Sequence, residues 1–223
     1  QQGFCMWGGV GVTGVVKTIA AHGVDVLEGR PTTAGHRHGL VDRCDLGLSP
    51  PRLGVPHRRL VHARGHRERV LDLGASPGAR TFYAAQQVGP DGRVLGIDLN
   101  DPTFALPPQA EILTVYAFEV DPDTLGGPFD LVISDMAPKT SGQRHADQYR
   151  SYELVMRALT LAKNVLNPGG TFVAKIFQGA KFEDARDSLR EVFGKVRVLR
   201  PKATRDESHE LFLVGLGLEP VTY

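Results

Sequence analysis

The chain has 223 residues, of which 41% are hydrophobic and 23% charged, and a formal net charge of +1. This balance suits a globular domain with a substantial core, and the apolar runs are shorter than the roughly 18 residues that a membrane-spanning helix needs. Two cysteines, Cys5 and Cys44, are too few for a disulfide framework or a zinc site of the usual spacing. We therefore expect a cytoplasmic protein that contacts no membrane and binds no metal, with a monomer as the simplest oligomeric state.

The first 68 residues differ in composition from the rest. They hold 9 Lys and Arg against 5 Asp and Glu, a charge of +4, whereas residues 69–223 hold 17 and 20, a charge of −3. They also contain 12 of the 26 glycines. Five of the six histidines of this part lack acidic or cysteine partners at ligand spacing, so they predict no metal site: His36, His38, His57, His62 and His66. We interpret residues 1–68 as a divergent or misread segment without a predictable structure.

The second part of the chain begins with a regular alternation of strands and helices. Residues 69–73 predict a buried strand that ends in a glycine turn, and residues 81–88 predict a helix. That helix is closed by the turn sequence Gly-Pro-Asp-Gly at 89–92. Two further strands are predicted over 93–98 and 112–116. The alternation indicates that successive strands are joined by crossover connections, as in a parallel sheet.

The alternation continues to the end of the chain. Residues 130–134 are nearly all apolar, as a parallel strand buried on both faces should be. Residues 149–167 place apolar side chains at helical spacing and end at Asn-Pro-Gly-Gly. The remaining predicted elements are a strand over 171–176, a helix over 182–193 and strands over 195–199 and 210–216. Strands that alternate with helices at this pitch predict a doubly wound, mostly parallel α/β sheet over residues 69–223.

In such a sheet, ligands bind beyond the carboxyl ends of the strands. The loop after the first strand, Asp72-Leu-Gly-Ala-Ser-Pro-Gly78, has glycines that let the backbone approach a ligand at Gly74 and Gly78. Because Pro77 removes an N–H donor that a pyrophosphate would need, a nucleoside with an uncharged linker suits the loop better than a dinucleotide. The alternative is a plain strand-to-helix turn.

Two carboxylates follow later strands. Asp98 ends the strand RVLGID and is placed to accept hydrogen bonds from ribose hydroxyls, although a turn or cap residue is the alternative. Asp135 comes directly after a fully apolar strand in Ser-Asp-Met-Ala-Pro. We expect Asp135 to face a cofactor and an acceptor at once.

A lysine lies inside the apolar strand Phe-Val-Ala-Lys-Ile-Phe. Burial of Lys175 is unfavourable unless the ammonium is paired or used, and the alternative is an edge-strand lysine that reaches solvent. Glu210 begins the last predicted strand. Lys175, Asp135 and Glu210 are therefore candidates for one polar cluster.

With these motifs the chain resembles the RrmJ/FtsJ-type ribosomal RNA 2′-O-methyltransferases. The resemblance covers about 155 residues and rests on LDLGASPG, GIDL, SDMAPKTSG, NPGGTFVAKIFQG and ESHELFLVG, in the family's order and spacing. It implies a Rossmann-like fold, S-adenosyl-L-methionine as methyl donor, and a ribose 2′-hydroxyl of RNA as acceptor. The partner implied is large-subunit ribosomal RNA, or the large ribosomal subunit itself, with a uridine as the methylated nucleotide.

The resemblance also implies site residues. The family's catalytic set is Lys-Asp-Lys-Glu, of which Asp135, Lys175 and Glu210 carry over, while the position of the first lysine falls near residues 50–52, where no lysine occurs. The implied cofactor-binding residues are Gly74, Gly78, Arg80, Asp98, Tyr116 and Asp135. Arg80 stands where the family usually has tryptophan. Tyr116, with Glu119 close by, stands where an acidic residue usually meets the adenine.

An ordinary lysine is protonated at neutral pH, so Lys175 must lose that proton to act as a base. If it keeps the proton, it instead orients the hydroxyl and stabilises the developing alkoxide. Two other functions remain open: a tRNA or cap 2′-O-methyltransferase, and a catalytically impaired, cofactor-binding RNA-binding or ribosome-assembly protein. A nicotinamide dehydrogenase is disfavoured because the third glycine and a catalytic histidine near the strand ends are missing.

Overall fold

The computed structural model describes residues 68–200 and 209–220. In chain order the strands of this part are β1 (Arg69–Leu73), β2 (Arg93–Asp98), β3 (Ala110–Thr114), β4 (Phe129–Ser134), β5 (Leu166–Phe177), β6 (Phe193–Leu199) and β7 (Glu210–Leu218). The α-helices are α1 (Ala79–Val88), α2 (Arg144–Val165) and α3 (Phe182–Arg190), and a 3₁₀ helix spans Pro122–Leu125. We interpreted residues 1–68 as a divergent or misread segment. Of these residues, the structure describes Glu68 alone.

The strands form one sheet in the order β3-β2-β1-β4-β5-β7-β6. Neighbours from β3 to β5 pair in parallel, and β7 runs antiparallel between β5 and β6. The order reverses at β1, because β2 and β3 lie on one side of it and β4 and β5 on the other. The predicted doubly wound, mostly parallel sheet is therefore confirmed.

Apolar side chains cover both faces of the sheet. On one face, Leu71 and Phe172 pack with residues of α2 and α3 such as Ala158 and Leu189. On the other, Val70 and Val173 pack with Ala84 and Ala85 of α1, among others. Successive strand residues point to opposite faces, so the near-continuous apolar sequence of the central strands follows from helices lying on both sides.

Six predicted elements begin earlier than expected: β4 by one residue, α1, β3 and β6 by two residues each, and α2 and β5 by five residues each. The strand predicted over 112–116 begins and ends two residues sooner as β3, which lies at the sheet edge and is only partly buried, so its apolar pattern is weak. The helix predicted over 149–167 is α2, whose first turns carry few apolar residues. It ends at Val165 because Leu166 already pairs with Phe129 of β4.

Asp147 explains why α2 starts early. Its carboxylate accepts hydrogen bonds from the Ser141 main-chain N–H at 3.0 Å and from the Ser141 hydroxyl at 2.9 Å. These bonds tie the loop after β4 to the first turn of the helix, where a carboxylate is also favoured by the helix dipole. The hydrogen bond from the Ser141 N–H holds the pKa of Asp147 below its ordinary value.

This lowered pKa predicts a pH-dependent contribution to stability. A carboxyl with a depressed folded-state pKa stabilises the fold above its unfolded pKa, about 3.9, and this contribution disappears as pH falls through the folded value. The free energy of unfolding of wild type should therefore exceed that of Asp147→Asn at neutral pH, and the difference should shrink below about pH 4. Urea unfolding across this range measures it, with the exposed Asp123→Asn as control. A pH-independent difference would contradict the assignment.

None of the helices in the described ranges combines the length and apolar character needed to cross a membrane.

Candidate functional site

The carboxyl ends of β4 and β5 and the start of β7 meet at one edge of the sheet. Ser134 pairs with Ala174, and Phe177 pairs with Glu210, so Asp135, Lys175 and Glu210 lie on adjacent strands or directly after them. Because side chains alternate along a strand, all three point to the face that α1 covers. The structure thus brings together the three predicted catalytic residues.

Lys175 is the centre of this group. Its Nζ lies 2.8 Å from Asp135 Oδ1 and 4.0 Å from Glu210 Oε1, and only 9% of the residue is exposed. The strand that carries it is interior to the sheet, so the alternative of an edge-strand lysine that reaches solvent is wrong. Glu210 is more exposed than the other two, with 40% of its side chain accessible. The cluster therefore has a buried amine and carboxylate beneath a solvent-facing carboxylate.

Arg80 connects the catalytic cluster to the glycine loop, because it donates hydrogen bonds to both. In the first turn of α1, its Nε donates to Asp72 Oδ1 at 2.6 Å and its NH1 donates to Asp135 Oδ2 at 2.9 Å. Its NH2 donates to the carbonyl of Gly74 at 2.5 Å, and Thr81 Oγ1 donates to Asp72 Oδ2 at 2.7 Å. Asp135 is thus shared by two cations, the guanidinium of Arg80 and the ammonium of Lys175.

Burial determines the electrostatics of this network. Asp72 is 0% and Arg80 7% exposed. Burial raises the pKa of Asp72, and the charge and hydrogen bond of Arg80 offset that rise only in part. Burial alone would lower the pKa of Arg80, but the charges of Asp72 and Asp135 outweigh it, so that pKa lies above its ordinary value. Sequence reasoning missed Asp72 in this role; a carboxylate inside an apolar strand was the available signal.

A cleft of about 650 Å³ opens beside the cluster, at the point where the strand order reverses. This volume suits a nucleoside-sized ligand. Four of the predicted cofactor-binding residues line the cleft: Gly74, Asp98, Tyr116 and Asp135. The other two do not line it. Arg80 lies beneath the loop, and Gly78 is the N-cap residue just before α1, where a side chain would meet Pro102 and Phe104 at 3.4 Å.

Asp98 joins the glycine loop to the end of β2. Its Oδ2 accepts from the Ser76 N–H at 3.0 Å, and its Oδ1 accepts from the Asn100 N–H at 2.9 Å. Oδ1 also accepts from Asn100 Nδ2 at 3.1 Å, so Oδ2 is the oxygen that keeps a free lone pair for a hydroxyl of a ligand in the cleft. Gly74 has a φ of +76°, and a Cβ there would lie 2.9 Å from the Met136 main-chain nitrogen. The loop therefore requires glycine at this position.

Two aromatic rings form part of the far wall of the cleft. Tyr116 and Phe118 stack with ring centroids 5.2 Å apart, and both are more than 40% exposed. Glu119 does not line the cleft. Sequence reasoning missed Phe118, because single exposed aromatic residues carry little signal before their neighbours are known. The wall offers a flat apolar surface, as an adenine base would need.

Some predictions fall outside the described residues, namely the position of the family's first lysine near 50–52 and the five histidines for which no metal site is predicted. Within residues 68–200 and 209–220, no three His, Cys, Asp or Glu side chains are arranged to hold a metal ion.

Comparisons with known proteins agree with this geometry. Residues 57–218 match the FtsJ-like methyltransferase family. A ribosomal RNA large subunit methyltransferase E from Sorangium cellulosum is 50% identical over 151 residues, covering 67% of this chain and 71% of that protein. A protein of the same name from Myxococcus xanthus is 47% identical over 156 residues, covering 66% and 71%.

Among solved structures, a ribosomal RNA methyltransferase from Plasmodium falciparum superposes with a TM-score of 0.57 at 20% identity, covering 70% of this chain and 90% of that one. At this identity the likeness concerns the fold alone, which it supports as Rossmann-like. The sequence match over most of the chain and its identity to the curated relatives decide the family. The chain belongs to the FtsJ-like methyltransferases, which use S-adenosylmethionine, and the resemblance drawn from its motifs is confirmed.

Proposed function

We propose that the chain transfers the methyl group of S-adenosylmethionine to a ribose 2′-hydroxyl of large-subunit ribosomal RNA, with a uridine as the target. The observation that carries the proposal is the buried Lys175 amine, 2.8 Å from Asp135 and 4.0 Å from Glu210, beside the cleft. The names of the relatives in Sorangium and Myxococcus support the choice of RNA. A cytoplasmic location and a monomer that acts on the large subunit belong to the same proposal.

The cleft fits this methyl donor. Gly74 and Asp98 offer a close backbone and an acceptor for ribose hydroxyls, Tyr116 offers a flat surface for the base, and Asp135 lies between the cleft and Lys175. Gly78 and Arg80 would act on the donor through the loop whose shape they set. When bound, the donor supplies a methyl group already activated by a sulfonium. The protein therefore has to position the acceptor and remove its proton.

Asp98 should determine cofactor affinity. Hydrogen bonds to a charged group contribute about 1.5–3 kcal/mol, so Asp98→Ala should weaken S-adenosylmethionine binding roughly 10- to 100-fold. Isothermal calorimetry measures this without any RNA. Asp123→Ala, which removes an exposed carboxylate that does not line the cleft, is the matched control and should bind normally. Unchanged affinity in Asp98→Ala would refute the ribose contact.

Lys175 would act on the hydroxyl in one of two ways. As a neutral amine, it would accept the 2′-hydroxyl proton while the oxygen bonds to the methyl carbon and the carbon–sulfur bond breaks to leave a neutral thioether. As an ammonium, it would orient the hydroxyl and stabilise the alkoxide that develops. In both cases Asp135 fixes the position of Nζ, and Glu210, the most exposed of the three, would contact the ribose or orient the lysine.

The test is transfer of labelled methyl groups to large ribosomal subunits that lack the modification, with bulk tRNA and capped messenger RNA in parallel. Label in a ribose 2′-position of subunit RNA is the expected result. If label enters only tRNA or the messenger cap, the proposed ribosomal substrate is wrong, but the proposed 2′-O-methyl transfer stands. S-adenosylmethionine binding without transfer to any RNA would identify an impaired RNA-binding or assembly protein and refute the proposed enzyme.

A further inference from the structure

Four exposed residues form a connected line beside Glu210. The guanidinium NH2 of Arg144, the first residue of α2, lies 3.3 Å from His209 Nδ1. The carbonyl of His209 accepts from the Gln178 N–H at 2.8 Å, and Gln178 Oε1 accepts from Arg200 NH2 at 3.2 Å. We call this line the Arg144–Arg200 surface. It crosses the end of β5 and the start of β7, next to the catalytic cluster.

The partners of the two guanidinium groups carry no negative charge. Within the described parts of the chain, Arg144 contacts an imidazole and Arg200 an amide oxygen, and no carboxylate lies within ion-pair distance of either. Two other surface arginines, by contrast, are neutralised: Arg93 pairs with Glu111 at 2.5 Å and Arg190 pairs with Asp187 at 2.9 Å. Among the described residues, the two guanidinium groups thus have no carboxylate partner and can bind an anion from outside.

The acidic composition of residues 69–223 means that RNA binding needs a local basic surface. Residues 69–223 have a net charge of −3, so the net charge of this part does not attract RNA. Binding to a polyanion then requires a local basic face. A target ribose at Lys175 also has a phosphate on either side of it, and arginine is the side chain best suited to grip phosphate oxygens in a defined geometry.

Gln178 keeps the two arginines in place. Its carbonyl accepts from Gln148 Nε2 of α2 at 2.6 Å, and its N–H and side chain complete the line between His209 and Arg200. The surface is therefore anchored to α2, β5 and the residue after β6 at once. Such anchoring reduces the side-chain freedom that phosphate binding has to remove.

We propose that the Arg144–Arg200 surface binds the phosphates that flank the target ribose and sets the register of the RNA strand on Lys175. The inference rests on the proposed RNA substrate and deepens it, because it names the part of the chain that holds the backbone. Contacts of this kind position a nucleic acid without selecting its sequence. The surface should therefore contribute to RNA affinity and its salt dependence, and leave cofactor binding unchanged.

The experiment uses the full chain and the double variant Arg144→Ala/Arg200→Ala. Its affinity for a uridine-containing single-stranded RNA oligonucleotide and for large ribosomal subunits is measured without methyl donor, over a range of salt concentrations. The matched control is Arg93→Ala/Arg190→Ala, which makes the same change in net charge at ion-paired sites away from the cluster. Calorimetric binding of S-adenosylmethionine by all three proteins shows whether each remains folded.

The double variant should bind RNA roughly tenfold or more weakly than wild type at about 0.1 M salt. Its plot of log affinity against log salt should flatten by about 0.7 for each phosphate of the single strand that the variant no longer neutralises, whereas the control should follow wild type. An unchanged affinity and slope, or an equal decrease in the control, would overturn the inference. Weaker, flatter RNA binding in a chain that methylates no RNA would support the surface while refuting the proposed enzyme.

Discussion

Replacing Lys175 with alanine is expected to lower the rate of methyl transfer by roughly 10²- to 10⁴-fold, the range that a positioned acid–base group contributes. Binding of S-adenosylmethionine should change little, since Lys175 is not among the residues that line the cleft. The loss should appear in kcat and in single-turnover rates with the donor already bound. Such a pattern marks a group that acts in the transition state rather than in ground-state binding.

The geometry explains the size of this effect. The Lys175 Nζ is held by Asp135 at 2.8 Å within an interior strand, so its position is fixed before the RNA arrives. No other described lysine or histidine pairs with Asp135, so nothing in that part of the chain would replace the missing amine. Lys163→Ala removes an exposed lysine from α2 and serves as the matched control. A near-normal single-turnover rate in Lys175→Ala would refute the assignment.

Arginine at the same position separates the two roles left open for Lys175. Arg keeps a positive charge but does not lose its proton in proteins. If Lys175 acts as a base, Lys175→Arg should be as slow as Lys175→Ala. If it acts as an orienting cation, Lys175→Arg should keep part of the activity. Comparing both variants at several pH values in single-turnover experiments distinguishes these outcomes.

The sequence predicted most of the fold because the central strands are apolar on both faces. β1 and β2 have the bounds that were predicted, since each is a largely apolar run that ends at a turn or a carboxylate. The edge strand β3 lies two residues before its predicted position, and α2 starts five residues before its predicted start. In α2 a hydrogen bond from Ser141 to Asp147 decides where the helix begins, and no apolar period shows such a bond.

The convergence of Asp135, Lys175 and Glu210 was predictable for a similar reason. Carboxyl ends of parallel strands meet at one edge, and the two-residue period then sends these side chains to one face. The place of Arg80 was not predictable, because it depends on Asp72, a buried carboxylate inside an apolar strand. The motif alone suggested that Arg80 touches the cofactor; the structure places it beneath the loop, and direct contact with the cofactor remains a prediction.

Arg80 should be the residue of this site whose removal destabilises the protein most. Removing one member of a buried ion pair usually costs about 3–5 kcal/mol, because the other charge is left without compensation. In Arg80→Met, the buried Asp72 would keep only the Thr81 hydroxyl as a side-chain partner. Urea unfolding of Arg80→Met against wild type measures the loss. A decrease below about 1 kcal/mol would show that the network contributes no more than an exposed pair.

The direction in which the stability deficit of Arg80→Met changes with pH shows whether the uncompensated charge of Asp72 causes it. Burial raises the pKa of Asp72 in the folded protein, and removing Arg80 should raise it further. A group with a raised folded-state pKa stabilises the fold most below its unfolded pKa, about 3.9, and this stability is lost as pH rises through the folded value. The deficit of Arg80→Met relative to wild type should therefore narrow when the pH is lowered from 8 towards roughly 5. A pH-independent deficit would indicate poorer packing instead.

A second variant separates stability from catalysis. Asp72→Asn/Arg80→Met removes both charges of the pair, and such replacements are often close to neutral for stability. Much of the free energy of unfolding that Arg80→Met forfeits should return in this double variant. Methyl transfer should stay impaired, because Asp135 still lacks its hydrogen bond from Arg80 at 2.9 Å and Lys175 is then held by a less constrained carboxylate. Recovery of both stability and kcat would show that Arg80 only supports the fold, whereas recovery of stability alone would identify it as a positioning residue for Asp135.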